Sequence, residues 1–572
     1  MTAVRRLLIA YMAVAAMPLG AQTRPTTTQT TTPAPSATPR ATAPVSAETD
    51  QDLDSPRALR LSLKEAIVGT ISSNLGINVQ RLDYAQAGQN LRGSYGVYDF
   101  FSTARLLQGS SEDPTISQFQ SSGGKSTIFD VGVSQLLPTG ASYTLAFNNS
   151  RATTIGGGTT VSPAYRSSLS LDFNQPLLRD FGADITSRGI TIARNTLGIN
   201  EQQFRLVLMQ QTDAATQAYL NLVYARENVD VVKQTLFLAR DQARITQIRI
   251  DVGASAPLDI LQPRVQISTT EESLITSVAV VRGAEDQLRA LMHLPPSEWD
   301  RPIIPTDNIR YTPVSLDMQE AVQRAYQQRP ELHQQDLTTA TRRLQYVYAR
   351  NQVLPRVDFA INYNPAGLAG RSLVLDPVTG RANSTGPGDA INQVFGGDFT
   401  SWTVGFNFAM PIRNIGAKAE AKRAELDWRA NQTIEEQLKE TVALEVRGNV
   451  RTVDTFLKQI AATKAAREAA EQNVEAERKR YENGMVTNFE VLQIQEQLAD
   501  ARVRELLALV GYNKALSTYY LSTGDLLDYF NIKVEAPPQD DPRIFSSFDR
   551  YNWLQYSNRL DLEGKPHDIE PQ

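Results

Sequence analysis

Side chains able to do covalent or metal chemistry are scarce in this chain. Cysteine is absent, which removes a thiol nucleophile, a thiolate metal site, a disulfide scaffold and an acylated N-terminal Cys anchor together. His293, His333 and His567 are scattered and unpaired, which leaves a His-based metal site without a cluster. No Ser–His–acid or paired-carboxylate spacing stands out, and Gly156-Gly-Gly158 lacks the Lys-Ser/Thr ending of a phosphate loop. The chain therefore reads as a non-enzyme with no cofactor. What does recur is a carboxylate six residues after a glycine. Arg249-Ile-Asp-Val-Gly-Ala-Ser-Ala-Pro-Leu-Asp-Ile-Leu-Gln262 returns 231 positions later as Arg480-Tyr-Glu-Asn-Gly-Met-Val-Thr-Asn-Phe-Glu-Val-Leu-Gln493. The Arg, the first acid, the Gly, the second acid (Asp259, Glu490), the Leu and the Gln stay in register, and Gln266 and Gln497 extend the match by one helical turn.

These segments must sit between helices. No Pro interrupts Gly182 to Ile250 or Ile412 to Tyr481. Leu438, Val442, Val446, Val450, Val453, Leu457 and Ile460 recur at helical spacing in the second run, as Leu222, Ala225, Val229, Val232, Leu236, Ala239 and Ala243 do in the first. About 70 residues of helix span roughly 100 Å. Shorter partners follow at about 258–294 and 489–521. Each copy of the motif is thus the tip of a helical hairpin, with Gly253 and Gly484 taking the left-handed turn. Ser62 and Ser315 are candidate helix N-caps at the head of each half.

Ahead of each long helix the period changes to two. Phe129, Val131 and Val133, then Tyr143, Leu145 and Phe147, then Leu169, Leu171 and Phe173 alternate with polar or small residues. The second half has Phe359, Ile361 and Tyr363, then Trp402, Val404, Phe406 and Phe408; residues 97–107 alternate less cleanly. Turns fall at Pro138-Thr-Gly140 and Gly156-Gly-Gly158, with a long Gly/Pro/Asn loop expected from Asn364 to Gly397.

Arg5-Arg6, the apolar run Leu7–Met17 and small residues to Ala21 make residues 1–21 an export signal, too short to cross a bilayer core of about 30 Å. Residues 22–56 are a Thr/Pro-rich disordered lead. The two repeats occupy 57–312 (strands about 97–175, helices about 182–294) and 313–524 (strands about 357–410, helices about 412–522), and 525–572 is a polar tail. With 57 basic against 62 acidic residues and no basic block, nucleic acid is not an expected partner.

No stretch past the signal offers the roughly 20 uncharged apolar residues of a membrane helix, so contact with lipid must use strands. Four to six amphipathic strands cannot close a membrane barrel, which needs at least about eight. An open sheet edge cannot face lipid either. The strands must be pooled from several identical chains, with the long helices continuing as a shared tube.

Over residues 61–524 the chain resembles the TolC-like outer-membrane efflux proteins. The resemblance is carried by Gln175-Pro-Leu-Leu-Arg-Asp-Phe-Gly182 and by the two Gly-centred tips in their order and spacing. It implies a mixed α and β fold with an internal two-fold repeat: a homotrimer whose β-barrel in a Gram-negative-type outer membrane continues into a long α-helical periplasmic barrel. It also implies a periplasmic adaptor at the tips, coupled to an inner-membrane pump that supplies the energy. Glu490 falls where the family's first gate acid belongs, Gln493 where a second acid is sometimes found, Tyr481 at a tip aromatic and Asp259 at the acid of the first repeat. Val486 replaces an Arg of some members, so the closed tip is expected to lean on hydrogen bonds from Tyr481 and Asp259. Gly253 and Gly484 become adaptor-docking tips. The resemblance suggests four membrane strands per chain, whereas the added hairpin 128–148 predicts six. The rival is a periplasmic adaptor or coiled-coil scaffold without a pore, disfavoured by two hairpins and aromatic-flanked strands.

Overall fold

The structure is a computed structural model, and it describes residues 58–117, 120–156, 159–375 and 382–533. The export signal, the Thr/Pro-rich lead, Gly157-Gly158 of the expected turn and residues 534–572 of the tail lie outside the described residues. In chain order the first half runs β1 (Leu59–Leu61), α1 (Leu63–Ser73), α2 (Leu75–Ser94), β2 (Phe101–Glu112), β3 (Ser121–Leu136), β4 (Ser142–Gly156), β5 (Val161–Pro176), α3 (Ala183–Thr186), α4 (Arg188–Asp251), α5 (Leu261–Met292) and β6 (Ile303–Pro305). The second half runs α6 (Met318–Gln328), α7 (Pro330–Asn351), β7 (Arg356–Leu375), β8 (Ala382–Ser384), α8 (Pro387–Gly396), β9 (Phe399–Ala409), α9 (Ile415–Glu482), α10 (Asn488–Thr523) and α11 (Leu526–Tyr529).

The Pro-free runs form single helices of 64 residues (α4) and 68 residues (α9), each about 100 Å long at 1.5 Å per residue. Their apolar stripes are buried as the spacing predicts. Val442, Val446, Val450, Val453 and Ile460 of α9 pack on Ala508, Tyr512, Leu516 and Tyr519 of α10. Tyr219, Leu222, Val223 and Val229 of α4 pack on Val278, Val281 and Leu288 of α5. Each fully buried Val or Leu contributes about 1.5–3 kcal/mol, so these stripes hold each hairpin closed.

Short elements brace the hairpins. β1 and β6 pair in parallel beside the first core. Ser62 caps α1 through a reciprocal box: its Oγ accepts from Glu65 N at 3.3 Å, and Glu65 Oε2 accepts from Ser62 N at 2.8 Å. Ser315 does not cap its helix. Asp317 does, with Oδ1 accepting from Gln319 N at 2.7 Å, because α6 starts two residues later than expected and a carboxylate there reaches the free amides. The head of the polar tail is also corrected. Leu526 and Leu527 of α11 are buried with Ile77, Leu208 and Met209, so ordered core extends past residue 524.

Among the described residues, six long strands form one antiparallel sheet in the order β2-β3-β4-β5-β7-β9, with the short β8 on the outer part of β7. The hairpin 128–148 lies inside this sheet, paired on both sides, which agrees with six strands per chain. The register keeps one face apolar across all six strands. Leu106 is opposite Phe129, Val131 opposite Phe147, Leu145 opposite Leu171, Leu171 opposite Tyr363, and Tyr363 opposite Trp402. The other face carries Asp130, Asn148, Ser168, Asp172, Asn362 and Asn407. Trp402, Phe406 and Phe408 on the apolar face are each 70 % exposed, far more apolar surface than a water-soluble sheet leaves open.

The expected loop from Asn364 to Gly397 is mostly ordered structure. β7 continues to Leu375, and Pro387–Gly396 is a helix lying on the sheet's apolar side, where Ala390 and Val394 are buried. Local signals explain α8: Pro387 opens it, Asp389 Oδ2 accepts from Gly386 N at 2.7 Å, and Gly397 ends it at φ 74°. Among the described residues, no helix is long and apolar enough to cross a membrane.

Candidate functional site

The two tips share one backbone design. At the end of α4, Ala254 N donates to Arg249 O at 2.7 Å and Gly253 N to Ile250 O at 2.9 Å. At the end of α9, Met485 N donates to Arg480 O and Gly484 N to Tyr481 O, both at 2.9 Å. This is the Schellman pattern, which needs a left-handed residue after the C-cap; Gly253 and Gly484 supply it at φ 76° and 74°. The repeated glycine is therefore a stop signal that reverses the chain at the same point in both halves.

The repeated acids start the return helices. Glu490 Oε2 accepts from Thr487 N at 2.8 Å while Thr487 Oγ1 accepts from Glu490 N at 3.4 Å, a full capping box. Asp259 Oδ2 accepts from Ala256 N at 3.0 Å in the first tip, where alanine offers no return bond. Both acids are exposed, and Gln493 is exposed one turn after Glu490. Val486 is half-buried between Gly484 and the cap.

Tyr481 is buried, but its hydroxyl does not reach Asp259. It lies 3.3 Å from Thr246 Oγ1 on α4, and Asp259 spends a carboxylate oxygen on its own turn. The fastening falls to residues that the sequence reading passed over. Arg249 Nη1 donates to Tyr481 O at 2.5 Å, and its guanidinium sits 4.7 Å from the centre of the Tyr481 ring. Gln242 Nε2 donates to Asn488 Oδ1 at 2.6 Å, and Thr246 Oγ1 lies 3.4 Å from the same oxygen. Arg478 adds a 3.5 Å ion pair to Asp241. Thus α4 of the first repeat grips the tip of the second. Arg249 was marked by its repetition as Arg480, yet the two arginines differ: Arg480 is exposed and, among the described residues, its side chain pairs with Glu477 of its own helix, at 3.4 Å.

Comparison with known proteins bears on sheet, helices and tips together. The model of the outer membrane efflux protein family matches residues 321–525, from α6 through the second tip to the start of α11. The second half of the chain is therefore similar to the outer membrane efflux protein family. No curated protein matches this chain. Among solved structures it is similar to the outer-membrane channel OprN, at 16 % identity and TM-score 0.58 over 83 % of this chain and 91 % of that one. It is also similar to the CmeC outer membrane channel of Campylobacter jejuni, at 14 % identity and TM-score 0.57 over 83 % and 87 %. VceC, an outer membrane protein of Vibrio cholerae, matches at 13 % identity and TM-score 0.57 over 81 % and 96 %. At these identities the likeness speaks to the fold alone, which this chain shares over most of its own length and nearly all of theirs.

Proposed function

We propose that this protein is one protomer of a homotrimeric efflux duct. It is seated in a Gram-negative-type outer membrane, extends into the periplasm and passively conducts cargo handed on by a periplasmic adaptor and an inner-membrane pump. The observation that carries this reading is the sheet. It has an apolar face that α8 covers only in part, with Leu106, Phe129, Leu145, Leu171, Tyr363 and Trp402 exposed on its six strands, and, among the described residues, two end strands with an unpaired edge each, a combination stable in lipid only if other copies close it. The apolar face is the lipid-facing one and the Asp/Asn/Ser face lines the duct. β5 and β9 then lead within about a dozen residues into α4 and α9, so barrel and helical tube are joined by short chain segments.

At the tips, Glu490 and Gln493 lie exposed in the first two turns of α10, free to form rings near a shared axis when three copies meet. Like charges in a narrow opening raise the negative potential and favour cations. Gly253 and Gly484 place the exposed hydrophobics Val252, Leu258, Met485 and Phe489 at the chain reversals, where an adaptor would dock. An adaptor or pore-free scaffold is the poorer reading, because neither would need a lipid-facing sheet. Native mass measurement of the detergent-extracted protein tests the proposal: three chains per particle with heat-modifiable gel mobility are expected, and a monomer extracted without detergent would overturn it.

A further inference from the structure

The two ends of the sheet specify how one copy meets the next. Among the described residues β2 pairs only with β3, and β9 pairs only with the lower part of β7. Backbone directions can be assigned on both open edges. Asp113 N donates to Ser122 O at 3.0 Å, so odd-numbered residues of β2 turn toward β3 and the amides and carbonyls of Ser102, Ala104, Leu106 and Gln108 turn outward. On β7, Leu368 N donates to Gln393 Oε1 at 2.9 Å and Gly370 N to Thr385 Oγ1 at 3.0 Å, so even-numbered residues face the β9 side. Their partners are Ser401, Thr403, Gly405 and Asn407, which leaves the backbone groups of Trp402, Val404, Phe406 and Phe408 turned outward.

Both outward sets belong to the apolar face. β2 runs away from the helices for 12 residues and β9 runs back toward them for 11, so copies arranged around an axis present antiparallel edges of matched length. Aligning Phe101 with Ala409 places Ala104 beside Phe406, Leu106 beside Val404 and Gln108 beside Trp402 on the lipid side. On the duct side it sets Thr103 beside Asn407, Leu107 beside Thr403, and Arg105 beside Gly405, where a Cβ would meet nothing within 4 Å. Donors meet acceptors and apolar meets apolar in the same register. A shift by two residues would keep both matches, and it is the alignment of the strand ends nearest the helices, Phe101 and Ala409, that selects this register.

We propose that β2 of one copy pairs with β9 of the next in this register, and that six strands from each of three copies close an eighteen-strand barrel. The inference rests on the trimeric reading above and sharpens it. Because barrel diameter grows roughly linearly with strand number, this duct is about half again as wide at the membrane as one built from four strands per chain.

The chain has no cysteine, so introduced pairs report without background. Thr103 and Asn407 would form a non-hydrogen-bonded pair across the seam, with Cα atoms about 4.5 Å apart, inside the range a disulfide spans. Within one chain they are separated by five strand spacings, roughly 24 Å. Oxidising Thr103→Cys/Asn407→Cys in membranes should give covalent dimers and trimers that collapse on reduction. Thr103→Cys/Thr403→Cys, four residues out of register, should stay monomeric on the gel. Leu107→Cys/Thr403→Cys is an independent in-register pair should the first disturb insertion, which the single-cysteine variants report by heat-modifiable mobility. Cross-linking of Thr144→Cys/Asn407→Cys instead would put β4 at the seam and overturn the proposal, as would a link confined to single chains. Absence of any link in a particle of three chains by native mass overturns the seam and leaves the trimer; a single-chain particle overturns the reading beneath it.

Discussion

Replacing Arg249 should open the tip more than any change to the Tyr481 hydroxyl. Arg249→Ala removes a charge-assisted hydrogen bond to Tyr481 O at 2.5 Å, of a kind worth about 1.5–3 kcal/mol, and a ring contact worth about 0.5–1 kcal/mol at a half-exposed site. Solvent takes up part of this loss, so about 2 kcal/mol is a fair expectation, or roughly 30-fold in the opening equilibrium. Tyr481→Phe removes only the 3.3 Å contact with Thr246, whose hydroxyl keeps Gln242 O at 2.9 Å, and the ring stays under Arg249. That loss lies at the low end of a neutral hydrogen bond, about 0.5 kcal/mol or roughly twofold. Hydrogen exchange of the amides in 478–490, in the detergent-solubilised protein, measures the opening directly. Arg249→Ala should exchange tens of times faster than the parent, Tyr481→Phe about twice as fast, and Arg249→Lys in between, since it keeps the charge and loses the planar fork. If Tyr481→Phe matches or exceeds Arg249→Ala, the guanidinium does not hold the tips together and the network is misread.

Three further outcomes follow from the same geometry. Gly484→Val forces a β-branched residue to φ 74°, costing about 1–2 kcal/mol of strain with only Arg249 Nη2 near its Cβ, at 3.8 Å; transport in a reconstituted pump–adaptor assay should fall while native mass stays that of the parent. Glu490→Gln keeps an oxygen for the Thr487 amide but removes the charge, so cation preference in bilayer recordings should drop while exchange at the tip stays near the parent's, whereas Glu490→Ala should lose both. Gly511→Ala would drive a Cβ of α10 into the Phe456 ring of α9, and thermal unfolding should show a loss of about 1–3 kcal/mol from overpacking.

How much the sequence showed depended on whether a feature was local or periodic. The long helices were legible because Pro-free runs with apolar residues every three or four positions have few other ways to fold, and α4 and α9 begin and end within a few residues of expectation. The strands were legible by alternation, least at β2, where the alternation is weakest and the strand starts and ends later than expected. α8 was missed because Gly and Pro around Pro387 read as loop punctuation, although the same residues supply its N- and C-caps. The tip acids were seen, but their first duty was not: Glu490 and Asp259 close their own turns, a use that spacing alone cannot separate from a role in a gate. Arg249, Gln242, Thr246 and Asn488 meet across 232 to 246 residues of chain, and no local pattern reports which of two repeated arginines will reach its neighbour.

The most direct test of the central claim, that three copies make one gated duct, is single-channel recording in planar bilayers from particles already weighed as three chains. Discrete conductance steps are predicted, small at rest with a modest preference for cations and larger in Arg249→Ala as the tips release. A three-chain particle that inserts yet conducts nothing, in the parent and in Arg249→Ala alike, would contradict the account.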